Sequence, residues 1–572
     1  MLGHKFLCFQ TALNHVMSKQ QPKLRIVPLG GAGEIGKNMT VIEMDDDAII
    51  IDTGVMFPAN DMLGVDLIIP DFRYLTERNK NLKIHGILYT HGHEDHTGAA
   101  AYVVDALRGV PLYATPLTAA LLEVKLRDAH LLNETSINVF HPGDKLEVGP
   151  FRIESFHMTH SIPDCVGFGI TTPYGMIIHS GDYKFDNTPI DGKKPDYAKL
   201  GELSRRGVLL LLGDSTNAER PGWTASEQVV LKGFDDIFRQ SKERIIVATF
   251  ASHISRIQMI ADMAAKYKRK VAIAGHSMTE NVKTARKIGL LNIPDDILVD
   301  LNRINHIMPN QLVIVATGSQ GEPSAVLSRL ATGQHRSLDV MAGDTIVVSA
   351  HTIPGNEEMV SRTINQLFRR GAEVIYDPIA PVHVSGHASQ EEMKLLINLT
   401  TPRYFVPIHG ELRHLKAHAR LAALSGIEPK NIFVIENGMV LEADKNGVRA
   451  TNERVPGGYV FVDGSGVGDV GRAVIRDREV LARDGFMMVV VNVDPDSGKV
   501  LGEPEIITRG FVYLRDADDL IENIKRTVYD VMDQSRALRN GQRRERLQES
   551  LSRMLFNETK RRPMVFSVIN EN

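Results

Sequence analysis

The chain has 572 residues, of which 43% are apolar and 24% charged, with a formal net charge of −4. That length exceeds one hydrophobic core and predicts about three domains at roughly 100–200 residues each. The composition is that of an ordinary globular protein, and it excludes a chain that binds nucleic acid by bulk charge, though not one with a local basic groove. Two cysteines, Cys8 and Cys165, exclude a disulfide scaffold and suit a reducing, cytoplasmic setting. No apolar run approaches the ~20 residues of a membrane span, so no membrane partner is expected.

In chain order, residues 1–20 read as a disordered extension rather than a signal peptide, with Met17 as an alternative start. From 21 to 215, short β-branched runs alternate with helical stretches at 97–108 and 115–130. LRIVPLG, AIIIDTG, GILYT, PLYAT, FRIESF and GMIIHSGD end in Gly, Asp, His or Thr, the α/β pattern in which polar strand ends carry the site. Gly31-Ala-Gly33-Glu-Ile-Gly36 matches a dinucleotide fingerprint. A strand follows it where that fingerprint needs a helix, so a glycine-rich turn is the better reading.

The run His91-Gly92-His93-Glu94-Asp95-His96 has no good purely structural explanation. His91 and His93 follow GILYT two residues apart, point the same way on an extended segment, and can share one metal. Asp95 and His96 can reach a second metal about 3.5–4 Å away. His160, Asp182 and His409 each end an apolar strand, where each is as often a cap as a ligand. His157, His179 and His414 default to structural roles.

Residues 206–380 change style. VLLLLGD, RIIVATF, KVAIAG, QLVIVATG and DTIVVSA are continuous apolar strands of a parallel sheet, with helices near 225–240, 253–268, 278–289 and 356–371 between them. RYFVPIHGE at 403–411 returns to the earlier style, so a domain over 216–375 is inserted into one made of 21–215 and 376–455. Residues 456–478 are glycine-rich and linker-like. A small α+β domain over 479–572 follows, with strands in REVLARDGFMMVVVNVD and GFVYLRD and helices at 516–538 and 541–556. Within it, 535–562 is basic: a solvated or oligomer-facing helix, or a contact to RNA.

HGHEDH, preceded by IDTG and followed by a downstream His and then GD, resembles the metallo-β-lactamase superfamily. DSTNAE, SGHAS and PIHGE resemble its β-CASP nucleases. With LGGAGEIGKN, THSIPD, FASHISR, ATGSQGEP and TIPGNE, residues 23–555 resemble the bacterial ribonuclease J family. The resemblance implies an αββα sandwich with an inserted parallel-sheet β-CASP domain. It implies two divalent ions, Zn²⁺ or alternatively Mn²⁺ or Mg²⁺, one on His91, His93 and His160 and the other on Asp95, His96 and His409, with Asp182 bridging. Asp52 and Asp214 would support these ligands from behind, and Asp95, Asp182 and His387 would be catalytic.

The resemblance further implies 5′→3′ exonuclease and endonuclease action on single-stranded RNA in maturation and decay. A pocket for a 5′-monophosphate would be built from Ser252, His253, Ile254 and Ser255 with His383, Val384, Ser385, Gly386 and His387. A homodimer or homotetramer in the cytoplasm, associated with an RNA-degradation complex, would be the working form. Competing readings are a small-molecule hydrolase, which the inserted domain disfavours, a DNA-processing nuclease, and a non-catalytic scaffold, which the intact ligand set disfavours.

Overall fold

The computed structural model describes residues 22–59, 62–78, 81–353, 356–464, 466–512 and 518–571; the expected extension at 1–20 lies outside them. Two compact units result, one of residues up to 57 and 68–460, the other of 58–67 and 461–572.

The first unit contains a sandwich of two sheets. One has eight strands in the order Gly447–Arg454, Met439–Asp444, Leu24–Gly30, Met39–Met44, Asp47–Ile51, Lys83–Leu88, Leu112–Ala114 and Ile137–Val139. The other has six: Tyr404–Ile408, Val208–Asp214, Gly175–His179, Val166–Thr172, Phe151–His157 and Lys145–Val148. Alternate residues of each strand face the shared core, where Ile26, Ile42, Ile49 and Leu88 of one sheet meet Ile153, Phe168, Leu210 and Val406 of the other. The opposite faces bury against helices: Val41, Ile50 and Ile87 pack with Leu75, Val103 and Leu122, while Ile178, Leu211 and Phe405 pack with Leu200, Leu396 and Leu421. Helix–sheet–sheet–helix layering follows from amphipathic faces on both sides of each sheet.

Between Asp214 and Tyr404 the chain builds a third sheet, all parallel, in the order Leu298–Val299, Lys270–Ala274, Leu312–Ala316, Ile245–Ala248, Thr345–Val348 and Glu373–Tyr376. Apolar clusters cover both of its faces. Helices Gln228–Gln240, Ile254–Lys266, His276–Lys287 and Glu357–Arg369 agree with the sequence reading. One strand does not: VLLLLGD, expected with this sheet, is Val208–Asp214 of the sandwich, parallel to both Gly175–His179 and Tyr404–Ile408. A continuous apolar run reports burial on both faces, which a central strand of the sandwich shares.

In the second unit, strand Phe486–Val493 pairs antiparallel with Val500–Arg509 and parallel with Met564–Glu571. Leu547, Leu551 and Leu555 of helix Asn540–Thr559 and Val528 of helix Asp518–Gln534 cover this sheet. REVLARD, expected as strand, belongs to helix Arg472–Asp484, as its strong helix formers favour. Gly510–Val512 of GFVYLRD follow the second strand rather than forming one, and 513–517 lie outside the described residues. The stretch expected as linker holds strands Tyr459–Asp463 and Gly466–Val467.

Candidate metal centre

The site residues come from strand ends of both sandwich sheets. Asp52 follows Asp47–Ile51, His91 follows Lys83–Leu88, His160 follows Phe151–His157, Asp182 follows Gly175–His179, Asp214 ends its strand, and His409 follows Tyr404–Ile408. His93 caps, and Asp95 and His96 lie on, the short helix Glu94–Thr97. The glycine-rich turn expected at Gly31–Gly36 supports this edge. It is followed by strand Met39–Met44, Ala32 and Gly33 pair with Gly410 and Glu411, and the Gly31 carbonyl accepts the His409 amide.

Three imidazoles converge on one point. His91 Nε2 and His160 Nε2 lie 3.0 and 3.2 Å from His93 Nδ1. Tetrahedral ligands at metal–nitrogen distances near 2.0–2.1 Å would stand about 3.3 Å apart, so the spacing fits a shared cation. The outer nitrogens settle which lone pairs face inward. His160 Nδ1 lies 2.8 Å from the Gly386 carbonyl, which can only accept, so Nδ1 carries the proton and Nε2 is free to ligate. Thr90 Oγ1 donates to Asp52 Oδ2 at 2.9 Å and is left to accept from His91 Nδ1 at 3.0 Å, which likewise frees His91 Nε2. Burial and neighbouring histidines push His91 and His160 well below the ordinary histidine range, and burial pushes His93 down to about 4. Neutral imidazole is the ligating form.

The second group is acidic. His96 Nε2 stands 3.1 Å from Asp182 Oδ2 and 3.5 Å from Asp95 Oδ2, and His409 Nε2 stands 3.2 Å from Asp95 Oδ2. His96 donates through Nδ1 to Asp52 Oδ2 at 2.8 Å, again turning Nε2 inward. Asp182 also approaches the first group, with the same Oδ2 3.8 Å from His91 Nε2 and 3.9 Å from His160 Nε2. Burial costs the Asp95 and Asp182 carboxylates, but the surrounding imidazoles outweigh it and hold both well below the usual range. Against the same cost, Asp182, Asp214 and Asp95 lift His409 to about 10. Such a concentration of ligating atoms suits divalent cations, which would replace the protons on these rings.

Asp214 accepts from His387 Nδ1 at 2.8 Å and, through its other oxygen, from the Thr216 amide at 2.9 Å. The His387 ring lies 4.9 Å from that of His160 and 5.3 Å from that of His409, at the mouth of both metal groups. Sequence reasoning missed Thr90, Thr216, whose hydroxyl holds His409 Nδ1 at 2.8 Å, and Asn38, whose amide holds the Asp95 carbonyl at 3.0 Å. Each is a small polar residue beside a candidate ligand, a signal too common to single out. His157, His179 and His414 have the structural roles expected: His157 meets the Lys194 carbonyl, His179 accepts the Gly181 amide and His414 caps a helix.

Of the residues expected to bind a 5′-phosphate, His253 lies near His383, and Ile254 and Val384 share an apolar cluster. Ser252–Ser255 turn into helix Ile254–Lys266 beside the segment His383–His387; His253 is buried, and after burial Arg256 and His383 push its ring well below the ordinary range. Ser385 Oγ accepts from Asn217 and from the His387 amide. Ile254 and Val384, by contrast, put their side chains into the apolar core of the inserted domain, leaving only backbone for a ligand.

A sandwich with histidines and carboxylates gathered at one edge of its strands defines a metallo-hydrolase of the metallo-β-lactamase fold. Family models agree along the chain: 32–244 match the metallo-beta-lactamase superfamily, 242–367 the ribonuclease J beta-CASP domain, 371–434 a Zn-dependent metallo-hydrolase RNA specificity domain, and 473–572 the ribonuclease J C-terminal domain. The chain is 40% identical over 556 residues to ribonuclease J2 of Bacillus subtilis (strain 168), covering 97% of this chain and 99% of that one. It is 37% identical over 559 residues to ribonuclease J 2 of Staphylococcus aureus (strain MRSA252), covering 97% and 100%. The crystal structure of a protein of unknown function from Enterococcus faecalis V583 shares the fold, with a TM-score of 0.51 at 14% identity over 73% of this chain and all of that one. The chain belongs to the ribonuclease J family. No described helix is long and apolar enough to cross a membrane.

Proposed function

We propose that the chain is a metal-dependent ribonuclease that hydrolyses RNA phosphodiesters with two divalent ions, as a 5′→3′ exonuclease favouring 5′-monophosphate ends and as an endonuclease. The observation that carries this is the convergence of His91, His93 and His160 on one point and Asp95, His96, Asp182 and His409 on another, with Asp182 Oδ2 within 4 Å of His91 and His160 as well. The mixed imidazole and carboxylate donors suit Zn²⁺ and also accept Mn²⁺. Bound there, the ions supply an acidified water near neutral pH and positive charge beside the phosphoryl oxygens.

The side chains do the rest. Asp95, besides holding metal, hydrogen-bonds the attacking water and orients it. Asp52 and the Gly386 carbonyl fix the tautomers of His96 and His160 before substrate arrives. Asp214 orients His387, whose Nε2 then reaches a phosphate oxygen or the leaving 3′-oxygen. Water attack in line leaves a 5′-phosphate on the downstream fragment. Residues 21–215 with 376–455 form the catalytic domain, 216–375 close over the RNA, and 479–572 support a homodimer or homotetramer. RNA maturation and decay in the cytoplasm, together with other degradation enzymes, is the setting that the family resemblance supports.

The test incubates 5′-monophosphate, 5′-hydroxyl and 5′-triphosphate RNA, and matched DNA, with wild type and His93→Ala in Mn²⁺ or Mg²⁺. Mononucleotides released from 5′-monophosphate RNA by wild type alone are expected. Equal cleavage by His93→Ala would overturn the metal reading, and turnover of DNA but not RNA would overturn the substrate.

A further inference from the structure

Behind the residues read as the 5′-end pocket lies a buried charged group that neither catalysis nor metal binding uses. Lys184, Asp186, Glu227 and Arg256 are 1, 5, 6 and 0% exposed. A guanidinium removed from water is costly unless its donors are satisfied; in Arg256 both Nη atoms are, while Nε has no partner among the described residues, so the Nη partners indicate why it is there. Arg256 stands in the first turn of helix Ile254–Lys266, immediately after the Ser252–Ser255 turn. Its Nη2 donates to Glu227 Oε2 at 2.7 Å, and its Nη1 donates to the Val382 carbonyl at 2.8 Å and to Ser349 Oγ. Ser349 Oγ in turn donates to the same Val382 carbonyl at 2.7 Å. Val382 directly precedes His383, where the other wall of the pocket begins.

One planar fork therefore ties the two walls together across a gap of 126 positions in sequence. Glu227 anchors it: its amide donates to Asp186 Oδ2 at 3.2 Å, and its free carboxylate oxygen lies 3.9 Å from Lys184 Nζ and 4.0 Å from His253 Nε2. Two positive and two negative side chains balance one another out of water. His253 Nε2 and His383 Nδ1, one on each wall, have no hydrogen-bond partner among the described residues.

We propose that Arg256, anchored by Glu227, is a positioning residue that sets the spacing of the two walls and so the selectivity for a 5′-monophosphate end. This rests on the 5′-end reading given above. The planar fork matters more than the charge, because a lysine ammonium cannot span Glu227, Ser349 and the Val382 carbonyl together.

The test compares kcat/KM on two otherwise identical RNAs, one ending in a 5′-monophosphate and one in a 5′-hydroxyl, for wild type, Arg256→Lys and Ser349→Ala. Both RNAs meet the same metal centre, so their ratio cancels any loss that the two substrates share. Misplacement of a binding group by an ångström costs up to about a hundredfold, so the ratio is expected to fall by about tenfold in Arg256→Lys, mainly through KM of the monophosphate RNA. Ser349→Ala, which keeps the salt bridge and the bond from Arg256 to the Val382 carbonyl but loses both hydrogen bonds of Ser349 Oγ, is expected to lower it by about twofold to threefold. A wild-type preference that survives intact in Arg256→Lys would overturn the positioning role alone. Absence of any preference in wild type would overturn the pocket reading itself. If Arg256→Lys does not fold, Ser349→Ala decides, and an unchanged ratio there overturns the inference.

Discussion

Gly386→Ala tests how tightly the segment His383–His387 controls the candidate metal centre. A Cβ at this position would stand 2.6 Å from both His160 Nδ1 and Cε1 and 3.0 Å from Ser161 Oγ. Ordinary contact begins near 3.4 Å, so the imidazole must retreat by about 0.8 Å. Gly386 lies outside the left-handed region, so this steric contact, not backbone strain, is what changes. Retreat breaks the 2.8 Å bond from His160 Nδ1 to the Gly386 carbonyl and swings Nε2 away from its place 3.2 Å from His93 Nδ1. Loss of an orienting partner of a ligand histidine lowers metal affinity by about 10–100-fold, or roughly 1.4–2.7 kcal/mol. Chelator competition followed by elemental analysis should show one of two ions weakened to that extent, with circular dichroism and melting close to wild type. Wild-type affinity for both ions would refute the assignment of His160 as a ligand held by the Gly386 carbonyl.

Two further outcomes follow from the electrostatics. Burial alone would lower His387, but the Asp214 carboxylate outweighs it and holds the ring above its ordinary range. If protonated His387 assists departure of the 3′-oxygen, activity falls as pH rises through its pKa, and Asp214→Asn moves that alkaline limb to lower pH; an unmoved limb in the kcat profile would exclude this role. His418, buried against Phe405 and bonded to Ser215 Oγ, is pushed by burial down to about 4. The unfolded chain therefore takes a proton near pH 6.5 that the folded chain refuses. Stability from this group is complete above pH 6.5 and declines as pH falls toward 4, by about 3 kcal/mol in all. His418→Gln should flatten the fall in melting temperature between pH 7 and pH 5; a fall as steep as wild type would contradict the prediction.

The candidate metal ligands are legible because an α/β fold collects polar residues at the ends of apolar strands, and His91, His160, Asp182 and His409 each sit at one. Which strands share a sheet was not legible. Val208–Asp214 and the strands of the inserted domain carry the same pattern, since burial on both faces erases the alternation that would tell them apart. Motif resemblance singles out the residues proposed for a 5′-end pocket but not which of their atoms are available: Ile254 and Val384 lie in the middle of their motifs and in the apolar core. Gly386 and Arg256 show the remaining gap. Their roles arise from contacts across 226 and 126 positions, and a glycine or arginine in a linear sequence carries no mark of them.

In the proposed mechanism a water held at the two groups of ligands attacks an RNA phosphodiester. Digestion of 5′-monophosphate RNA in ¹⁸O-water tests it most directly. One ¹⁸O is expected in the 5′-phosphate of every released nucleotide after the first, and none after chelation or with His93→Ala. Products bearing a 2′,3′-cyclic phosphate, or an unlabelled 5′-phosphate throughout, would contradict it.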